Sequence, residues 1–253
     1  MTPNMKVQIL LLLPMAFLLP PGAWAGEIIG GQEAQPHSRP YMANLEIRLG
    51  DKSYRCGGFL VKTNFVLTAA HCKGDEITVT LGAHNIRQWE RSQQKIPVRR
   101  QILHPRYNRD TISNDIMLLQ LQHKARLTEE VGLIDLTSAH RRVRPGTMCS
   151  VAGWGRTSLT DTPNTLQEVN LLVISDETCY KRYRYYYPSS MLCAGDPDDQ
   201  KSIYLGDSGG PIVCRGVAEG IVSKCIRNSI APPAVYTRIS HFMPWITDTM
   251  RGI

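Results

Sequence analysis

The sequence predicts an all-β protein made of two small barrels, because short apolar runs alternate with turns along most of the chain. The turns are rich in Gly, Pro, Asn and Asp, and strands this short at such spacing are typical of β sandwiches and barrels. The chain after residue 27 is long enough for two barrels of roughly 110 residues each. Only residues 242–250, near the C-terminus, have the composition of a helix.

The predicted strands begin with a hairpin. Residues 56–61 and 65–70 are apolar runs joined by Lys62-Thr63-Asn64, a combination that indicates two paired strands. Further strands are predicted at residues 77–81, 116–121, 169–174, 211–214, 220–223 and 234–239. The pattern fades near residues 136–143, so we expect residues 28–137 to form an N-terminal barrel and residues 138–253 a C-terminal barrel with the helix.

The composition is that of a globular, basic protein. With 42% hydrophobic and 20% charged residues among 253, the chain differs from disordered and fibrous sequences. Its 29 Lys and Arg exceed its 22 Asp and Glu, which gives a formal net charge of +7. No internal repeat and no His/Asp grouping at metal-ligand spacing is present in the sequence, so neither a repeat architecture nor a metal site is predicted.

Residues 1–25 have the parts of a secretory signal peptide. Lys6 supplies a basic start, residues 9–19 an apolar run, and Ala23-Trp24-Ala25 a cleavage context. The run is shorter than the roughly 20 residues that a membrane-spanning helix needs, and no other stretch is long enough. We therefore expect secretion through the oxidising ER lumen, where cysteines pair. Removal of residues 1–27 takes away one charge of each sign, Lys6 and Glu27, and leaves the net charge of +7 unchanged.

Three separated segments carry residues that suit nucleophilic catalysis. They are LTAAHC at residues 67–72, NDIMLL at residues 114–119 and GDSGGP at residues 206–211. A serine hydroxyl is a weak nucleophile unless a base takes its proton, and that base needs a group that fixes its orientation. Glycines around the serine suit a tight turn whose backbone N–H groups can face a developing oxyanion. Each segment alone has an ordinary structural explanation, but together they point to His71, Asp115 and Ser208.

With these segments, the chain resembles the chymotrypsin-fold serine proteases, and within them the branch of granzymes, mast-cell chymases and cathepsin G. The resemblance includes IIGG at residues 28–31, PHSRPYM at 36–42, CGGFL at 56–60, LGAHNI at 81–86, VAGWG at 151–155 and PWI at 244–246. It implies two six-stranded antiparallel barrels of the chymotrypsin type with a C-terminal helix. It also implies a serine endopeptidase without cofactor or metal, whose partners are protein or peptide substrates and serine protease inhibitors.

The resemblance assigns a role to each residue of the set, following the mechanism of that family. Ser208 is expected to attack the scissile carbonyl. His71 is expected to act first as general base and then as general acid, while Asp115 orients its imidazole. The backbone N–H groups of Gly206 and Ser208 are expected to form the oxyanion hole.

The resemblance also implies activation by trimming. Gly26-Glu27 matches the two-residue acidic propeptide that a dipeptidyl peptidase removes from the granule-stored relatives. The new amino group of Ile28 is then expected to pair with Asp207, because a buried carboxylate needs an opposite charge. Storage in secretory or cytolytic granules is expected on the same ground.

The resemblance places a primary specificity pocket at Ser202, Ile203, Leu205 and Ala234. Ser202 is neutral at the base position, where a trypsin-like enzyme carries Asp, so cleavage after Lys or Arg is not expected. The lining brings no charge and suits Phe, Tyr, Leu or Met.

Two residues depart from the family at the mouth of this pocket. The resemblance counts Ser223, Lys224 and Cys225 among the substrate-binding residues, and they stand where relatives have serine, an aromatic residue and glycine. We expect Cys225 to narrow the pocket toward Leu, Met or Val. Lys224 either favours acidic substrate residues further along the peptide or points to solvent without effect, and the sequence leaves both alternatives open.

The resemblance pairs six of the seven cysteines: Cys56 with Cys72, Cys149 with Cys214, and Cys179 with Cys193. Cys225 is the residue left over. It could restrict the pocket, pair with another chain, undergo modification or act as a small buried hydrophobic residue.

Basic residues form clusters that suit an anionic partner. They are Arg99-Arg100, Arg141-Arg142 with Arg144, and Lys181-Arg182 with Arg184. No nucleic-acid-binding motif accompanies them, so a sulfated proteoglycan or another polyanion is the expected partner, and a plain solvated surface is the alternative. A second function therefore stays open, that of a cationic granule protein whose proteolysis is weak or vestigial.

Overall fold

Short β-strands are the main regular secondary structure of the described residues. The computed structural model describes residues 31–155, 163–195, 207–225 and 233–252. The strands are β1 (Gln32–Glu33), β2 (Met42–Leu49), β3 (Lys52–Lys62), β4 (Phe65–Thr68), β5 (Glu76–Leu81), β6 (Gln94–Leu103), β7 (Met117–Leu121), β8 (Asp135–Leu136), β9 (Met148–Gly153), β10 (Gln167–Leu172), β11 (Met191–Ala194), β12 (Pro211–Cys214), β13 (Val217–Lys224) and β14 (Ala234–Arg238). The described residues also contain the helices α1 (Asp176–Arg182) and α2 (Ile239–Arg251) and a 3₁₀ turn, Ala70–Cys72.

Six antiparallel strands close into a first barrel in the order β2-β3-β4-β7-β6-β5. Alternate side chains of β2 point inward, so that Ala43, Leu45 and Ile47 are at most 1% exposed while Glu46 faces solvent. This period of two is what a strand with one buried face requires. The predicted hairpin is confirmed as β3 and β4, which pair antiparallel.

The second sheet runs in the order β1-β10-β9-β12-β13-β14-β11. The chain just after β10 reaches β11 through two backbone hydrogen bonds, Ile174 N to Cys193 O at 3.0 Å and Gly195 N to Leu172 O at 2.9 Å. These contacts curl the strands from β10 to β11 into a second barrel-like sheet, and β1 adds to its edge by pairing with β10. The prediction of an all-β fold with two antiparallel barrels is confirmed.

The helix α1 is one that the sequence pattern did not predict. Its local signals are nevertheless present, because Ser175 Oγ accepts a hydrogen bond from Thr178 N and Glu177 pairs with Lys181 at 2.7 Å. Acidic residues in its first turn and basic residues in its last turn complement the helix dipole. With 7 residues, the helix is too short to show an apolar period among the surrounding strands.

The C-terminal helix contacts β13 of the second sheet and also packs into the apolar cluster of the first barrel. It begins at Ile239, earlier than predicted. Phe242 and Ile246 are at most 1% exposed and lie in the same apolar cluster as Leu67 of the first barrel. The ring of His104 meets that of Phe242 edge-on, with centroids 5.1 Å apart.

No helix among the described residues combines the length and apolar character needed to cross a membrane.

Three disulfides link these elements. Cys56 to Cys72 joins β3 to the 3₁₀ turn, Cys149 to Cys214 joins β9 to β12, and Cys179 to Cys193 joins α1 to β11. Cys225 takes part in none of these three bridges.

Candidate active site

Neighbouring strand ends bring His71 and Asp115 together. In the pairing of β4 with β7, Thr68 lies opposite Met117, so the 3₁₀ turn after β4 adjoins the segment that leads into β7. The Asp115 carboxylate is 1% exposed. His71 N donates to Asp115 Oδ1 at 2.9 Å, and His71 Nδ1 lies 2.7 Å from Oδ2. With Nδ1 facing the carboxylate, Nε2 is the nitrogen left for proton exchange with another group.

The second barrel contributes further hydrogen bonds to Asp115. Ser223 Oγ donates to Oδ2 at 2.6 Å, and Thr237 Oγ1 donates to the backbone oxygen at 2.8 Å. Because β13 and β14 supply these donors, Asp115 is held from both barrels. Ser223, which sequence reasoning assigned to substrate binding, thus directs its hydroxyl at the carboxylate.

Opposing effects set the basicity of His71. Burial lowers the pKa of the imidazole, because its charged form loses hydration. The charge of Asp115 and the hydrogen bond to it raise the pKa, and together they outweigh burial. The pKa of His71 therefore lies above its ordinary value of 6.5. The ring is a stronger base than an isolated histidine, which suits a group that accepts a proton.

The turn that carries Ser208 is held against the first barrel by its backbone. Gly57 N donates to Ser208 O at 2.7 Å, and the same oxygen lies 3.8 Å from the sulfur of Cys72, the residue after His71. Gly209 continues the turn with a φ of +84°, and a side chain there would collide with the Gly57 oxygen. Glycine alone combines this backbone conformation with so close an approach. The three segments singled out from the sequence thus converge at one place.

Asp207, next to Ser208 in sequence, is fully buried at 0% exposure. Its Oδ1 accepts a hydrogen bond from Gly155 N at 3.0 Å. Gly153 and Gly155 leave room for the carboxylate, since a Cβ on either residue would collide with it. Ile28, the expected partner of Asp207, lies outside the described residues.

A grouping near His71 looks at first like a metal site. Ligand-type atoms of Cys56, His71 and Cys72 lie within 4.8 Å of one another. The two sulfurs form a disulfide, however, so neither is a thiolate that could bind an ion. The grouping holds the His71 turn to β3 and does not supply a metal centre.

Three residues of the expected specificity pocket lie outside the described residues: Ser202, Ile203 and Leu205. Gly206, expected in the oxyanion hole, also lies outside them. Ala234 is described, and it is 2% exposed at the start of β14.

Cys225 is half-buried beside two tyrosines. Burial raises the pKa of Tyr183 to about 12, and the nearby Cys225 adds to the rise. Burial also raises the pKa of Tyr236, with Cys225 again among the smaller contributors. The hydroxyl of Tyr183 donates to Pro233 O at 2.6 Å. Cys225 therefore lies where the loop after α1 meets β13 and β14.

The ammonium of Lys224 bridges loops of the two barrels. Its Nζ donates to Thr111 O at 2.7 Å and to Tyr185 O at 3.2 Å. Thr111 belongs to the loop between β6 and β7, and Tyr185 to the loop after α1. Burial lowers the pKa of Lys224, while the charge of Asp115 opposes that effect. Lys224 is therefore held between two loops and does not extend freely into solvent.

Comparison with known proteins assigns this arrangement to a family. The family model described as Trypsin matches residues 28–246, almost the whole length of both barrels. The chain belongs to the trypsin family. Membership makes it a serine endopeptidase, a hydrolase, and the expected relation to chymotrypsin-fold proteases is confirmed.

Named members of the trypsin family are similar over nearly the full chain. Duodenase-1 of Bos taurus is 58% identical over 246 residues, which cover 96% of this chain and 97% of that protein. Cathepsin G of Homo sapiens is 54% identical, with coverage of 96% and 94%. Granzyme B of Homo sapiens is 55% identical, with coverage of 95% and 98%.

Solved structures of the trypsin family superpose on the same frame. The structure of GrC has a TM-score of 0.85 at 47% sequence identity, and the match covers 88% of this chain and 100% of the GrC chain. Neuropsin, a serine protease expressed in the limbic system of mouse brain, has a TM-score of 0.81 at 36% identity, with coverage of 88% and 100%.

Sequence reasoning missed two residues that support this trypsin-family site, Thr237 and Gly57. Thr237 is a polar residue 3% exposed inside an apolar strand, and such a residue needs a hydrogen-bond partner. Gly57 lies inside a strand, where glycine marks a close approach of another backbone. The sequence shows a threonine within one apolar run and a glycine within another, but neither residue type names its partner.

Proposed function

We propose that the chain is a secreted, granule-type serine endopeptidase that works through an acyl-enzyme. The observation that supports this most is the His71–Asp115 pair, which is doubly hydrogen-bonded and lies beside the turn carrying Ser208. Such a pair gives a serine hydroxyl the oriented base that it lacks on its own.

In the proposed mechanism, His71 Nε2 accepts the Ser208 proton as the serine oxygen attacks the scissile carbonyl. The N–H groups of Gly206 and Ser208 stabilise the oxyanion, and removing one such donor typically costs about 10²–10³ in turnover. The imidazolium then protonates the leaving amine, and the acyl group stays bonded to Ser208. Water deprotonated by His71 hydrolyses this ester, while Asp115 stays ionised throughout.

Activation is proposed to follow removal of residues 1–25 and then of Gly26-Glu27 by a dipeptidyl peptidase. The amino group of Ile28 would then neutralise Asp207, whose complete burial beside Ser208 supports the need for a cation there. The names of the relatives, which include granzyme B and a mast cell protease, support storage in granules.

The primary pocket is proposed to be uncharged and narrow. Ser202 at its base gives no partner to Lys or Arg, and Ile203 and Cys225 reduce its width. We expect cleavage after Leu, Met or Val, and less after Phe or Tyr.

A polyanion is proposed as a second partner, bound near Arg142 and Arg144. Both side chains are exposed and line a surface pocket of about 310 Å³ that also includes Asp176 and the buried Arg238. Three guanidinium groups against one carboxylate leave this pocket positively charged, which suits sulfate groups.

A fluorophosphonate probe, which reacts with an activated serine, tests the proposed catalysis. The chain beginning at Ile28 should be labelled at Ser208 and should hydrolyse peptides, and Ser208→Ala should do neither. A form that retains Gly26-Glu27 should show little labelling. Absence of labelling in the trimmed form would leave the cationic binding function as the better account.

An unbiased peptide library tests the proposed pocket. The trimmed chain should cut after Leu, Met or Val, and Cys225→Gly should widen the choice toward Phe and Tyr. Dominant cutting after Arg or Lys would refute the uncharged pocket without touching the catalytic proposal.

A further inference from the structure

The end of β13 runs from the nucleophile turn to Lys224. Val222 O accepts a hydrogen bond from Gly209 N at 2.9 Å, directly after the serine of the turn. The next residue, Ser223, donates to Asp115 at 2.6 Å, and Lys224 follows. Two residues of extended strand cover about 7 Å, so the backbone of Lys224 lies about 7 Å along β13 from Val222. An extended peptide bound at Ser208 spans that distance with two residues.

The Lys224 ammonium is fixed in position, and no carboxylate of the described residues is within ion-pair distance of it. Two of its three N–H donors are directed at Thr111 O and Tyr185 O, and both acceptors are uncharged. Within residues 31–155, 163–195, 207–225 and 233–252, no carboxylate forms an ion pair with it and no partner takes its third donor. Among the described residues, the cation therefore keeps one donor that an acceptor of a bound peptide can take.

The surroundings of Lys224 favour an anion as that acceptor. Arg184 lies over the ring of Tyr185, with its Cζ 5.4 Å from the ring centroid, so a second cation belongs to the same loop as one of the carbonyls that hold the ammonium. Burial has removed part of the hydration of Lys224 and lowers its pKa. An ionic partner stabilises such a group more than an uncharged acceptor does. The Asp115 carboxylate is already occupied by His71 and Ser223.

We propose that Lys224 is a specificity-determining residue that binds the carboxylate of an acidic substrate side chain. The proposal rests on the proposed proteolytic function, because it requires an extended substrate alongside the end of β13. Since an extended peptide advances about 3.4 Å per residue, the acidic residue lies about two to four positions from the scissile bond. In this chain, an ionic contact replaces the apolar contact that an aromatic residue would make at Lys224.

Matched peptides that differ only by Glu or Gln test this assignment. The acidic residue is scanned over four positions on each side of the scissile bond, and the enzyme concentration is set by fluorophosphonate labelling of Ser208. At one position, kcat/KM for the Glu peptide should exceed that for the Gln peptide by about two- to fivefold, as for a partly exposed ionic contact. The ratio should fall at about 0.5 M salt, because such a contact is screened.

Variants of Lys224 distinguish binding of an acidic substrate side chain from a purely structural role in holding the two loops. Lys224→Met should bring the Glu/Gln ratio to about one, and Lys224→Arg should keep it above one, since charge is retained. Lys181→Met is the matched control, because Lys181 is exposed and its ammonium already pairs with Glu177 at 2.7 Å. The Glu/Gln ratio of this variant should equal that of the wild type.

Two results would overturn the assignment of Lys224, and a third would refute the proposed proteolytic function. A labelled wild-type enzyme without Glu preference overturns the assignment, as does a Lys224→Met variant that loses both peptides equally and keeps the ratio. A trimmed chain that is not labelled and cuts neither peptide refutes the proposed function itself, and with it this assignment.

Discussion

Ser223 Oγ donates a 2.6 Å hydrogen bond to Asp115 Oδ2. The same carboxylate oxygen lies 2.7 Å from Nδ1 of His71, so a residue of the second barrel shares the acceptor of the imidazole. A donor on a carboxylate draws off part of its negative charge. The hydroxyl of Ser223 therefore moderates the effect of Asp115 on His71 and holds the carboxylate in place.

Replacing Ser223 by Ala should shift the pH dependence of hydrolysis. Without the hydroxyl, more of the Asp115 charge acts on the imidazole, so the pKa of His71 should rise. The acidic limb of kcat/KM should move to higher pH, and kcat should fall by roughly tenfold because Asp115 loses a charge-assisted hydrogen bond. Ser223→Thr keeps a hydroxyl and should retain most of the activity. An unchanged acidic limb in Ser223→Ala would contradict this coupling.

The unmodified enzyme should lose activity in acid at a pH above 6.5. Because Asp115 raises the pKa of His71 above that value, the ring is protonated, and unable to accept a proton, up to a higher pH than free histidine. Asp115→Asn should move the acidic limb downward and reduce kcat by about 10⁴, the size of effect known for this catalytic template. The measurement is kcat/KM against pH for both forms.

The His71–Asp115 pair should also make stability depend on pH. A raised folded-state pKa means that its contribution is fully present below the unfolded value of about 6.5 and is lost as pH rises through the folded value. The difference in Tm between the wild type and Asp115→Asn should therefore be larger at about pH 5.5 than at about pH 9. Equal differences at the two pH values would argue against a charged pair in the folded protein.

Gly209→Ala should disrupt the Ser208 turn. The residue has a φ of +84°, and a Cβ would collide with Thr68 Oγ1 and the Gly57 oxygen. Fluorophosphonate labelling should drop sharply, and the free energy of unfolding should fall by more than the backbone strain of about 1–2 kcal/mol.

Gly216→Ala is the matched control for that strain. Its φ is +79°, yet no atom lies within 4 Å of a Cβ placed there. It should show the backbone cost of about 1–2 kcal/mol in urea unfolding and retain labelling. If the two variants behaved alike, the close approach of Gly209 to the first barrel would not matter.

Removing Arg142 and Arg144 should weaken binding to sulfated polysaccharide. The double substitution to Gln should elute from a heparin column at lower salt, because fewer cations face the sulfates. Arg87→Gln with Arg91→Gln removes the same charge from exposed positions outside the three basic clusters and is the control. Equal shifts for both pairs would show an effect of net charge and not of the pocket that includes Arg238.

The sequence predicts those parts of the fold whose apolar pattern is strong. The strand of residues 211–214 is predicted with the same bounds that β12 has, because all four of its residues are buried. β6 was missed, since Ile96 is its single fully buried residue and its remaining residues read as a polar segment. Its place in the first barrel comes from backbone pairing with β5 and β7, which no side-chain pattern reports.

The candidate site divides in a similar way. His71, Asp115 and Ser208 stand in motifs that are visible in the sequence, so they could be named before their contacts were known. The contacts of Lys224 could not be predicted. Its acceptors, Thr111 and Tyr185, are 113 and 39 positions away and belong to loops whose meeting depends on how the two barrels dock.

The packing of α2 against the first barrel has a consequence for the cell that makes this enzyme. A ribosome releases the thirteen residues of this helix, 239–251, almost last. Until then, Phe242 and Ile246 are missing from the core of a barrel whose own strands emerged much earlier. A growing chain therefore carries His71 and Asp115 on an unfinished support. The core of the first barrel is therefore completed only after the last residues of the chain have left the ribosome.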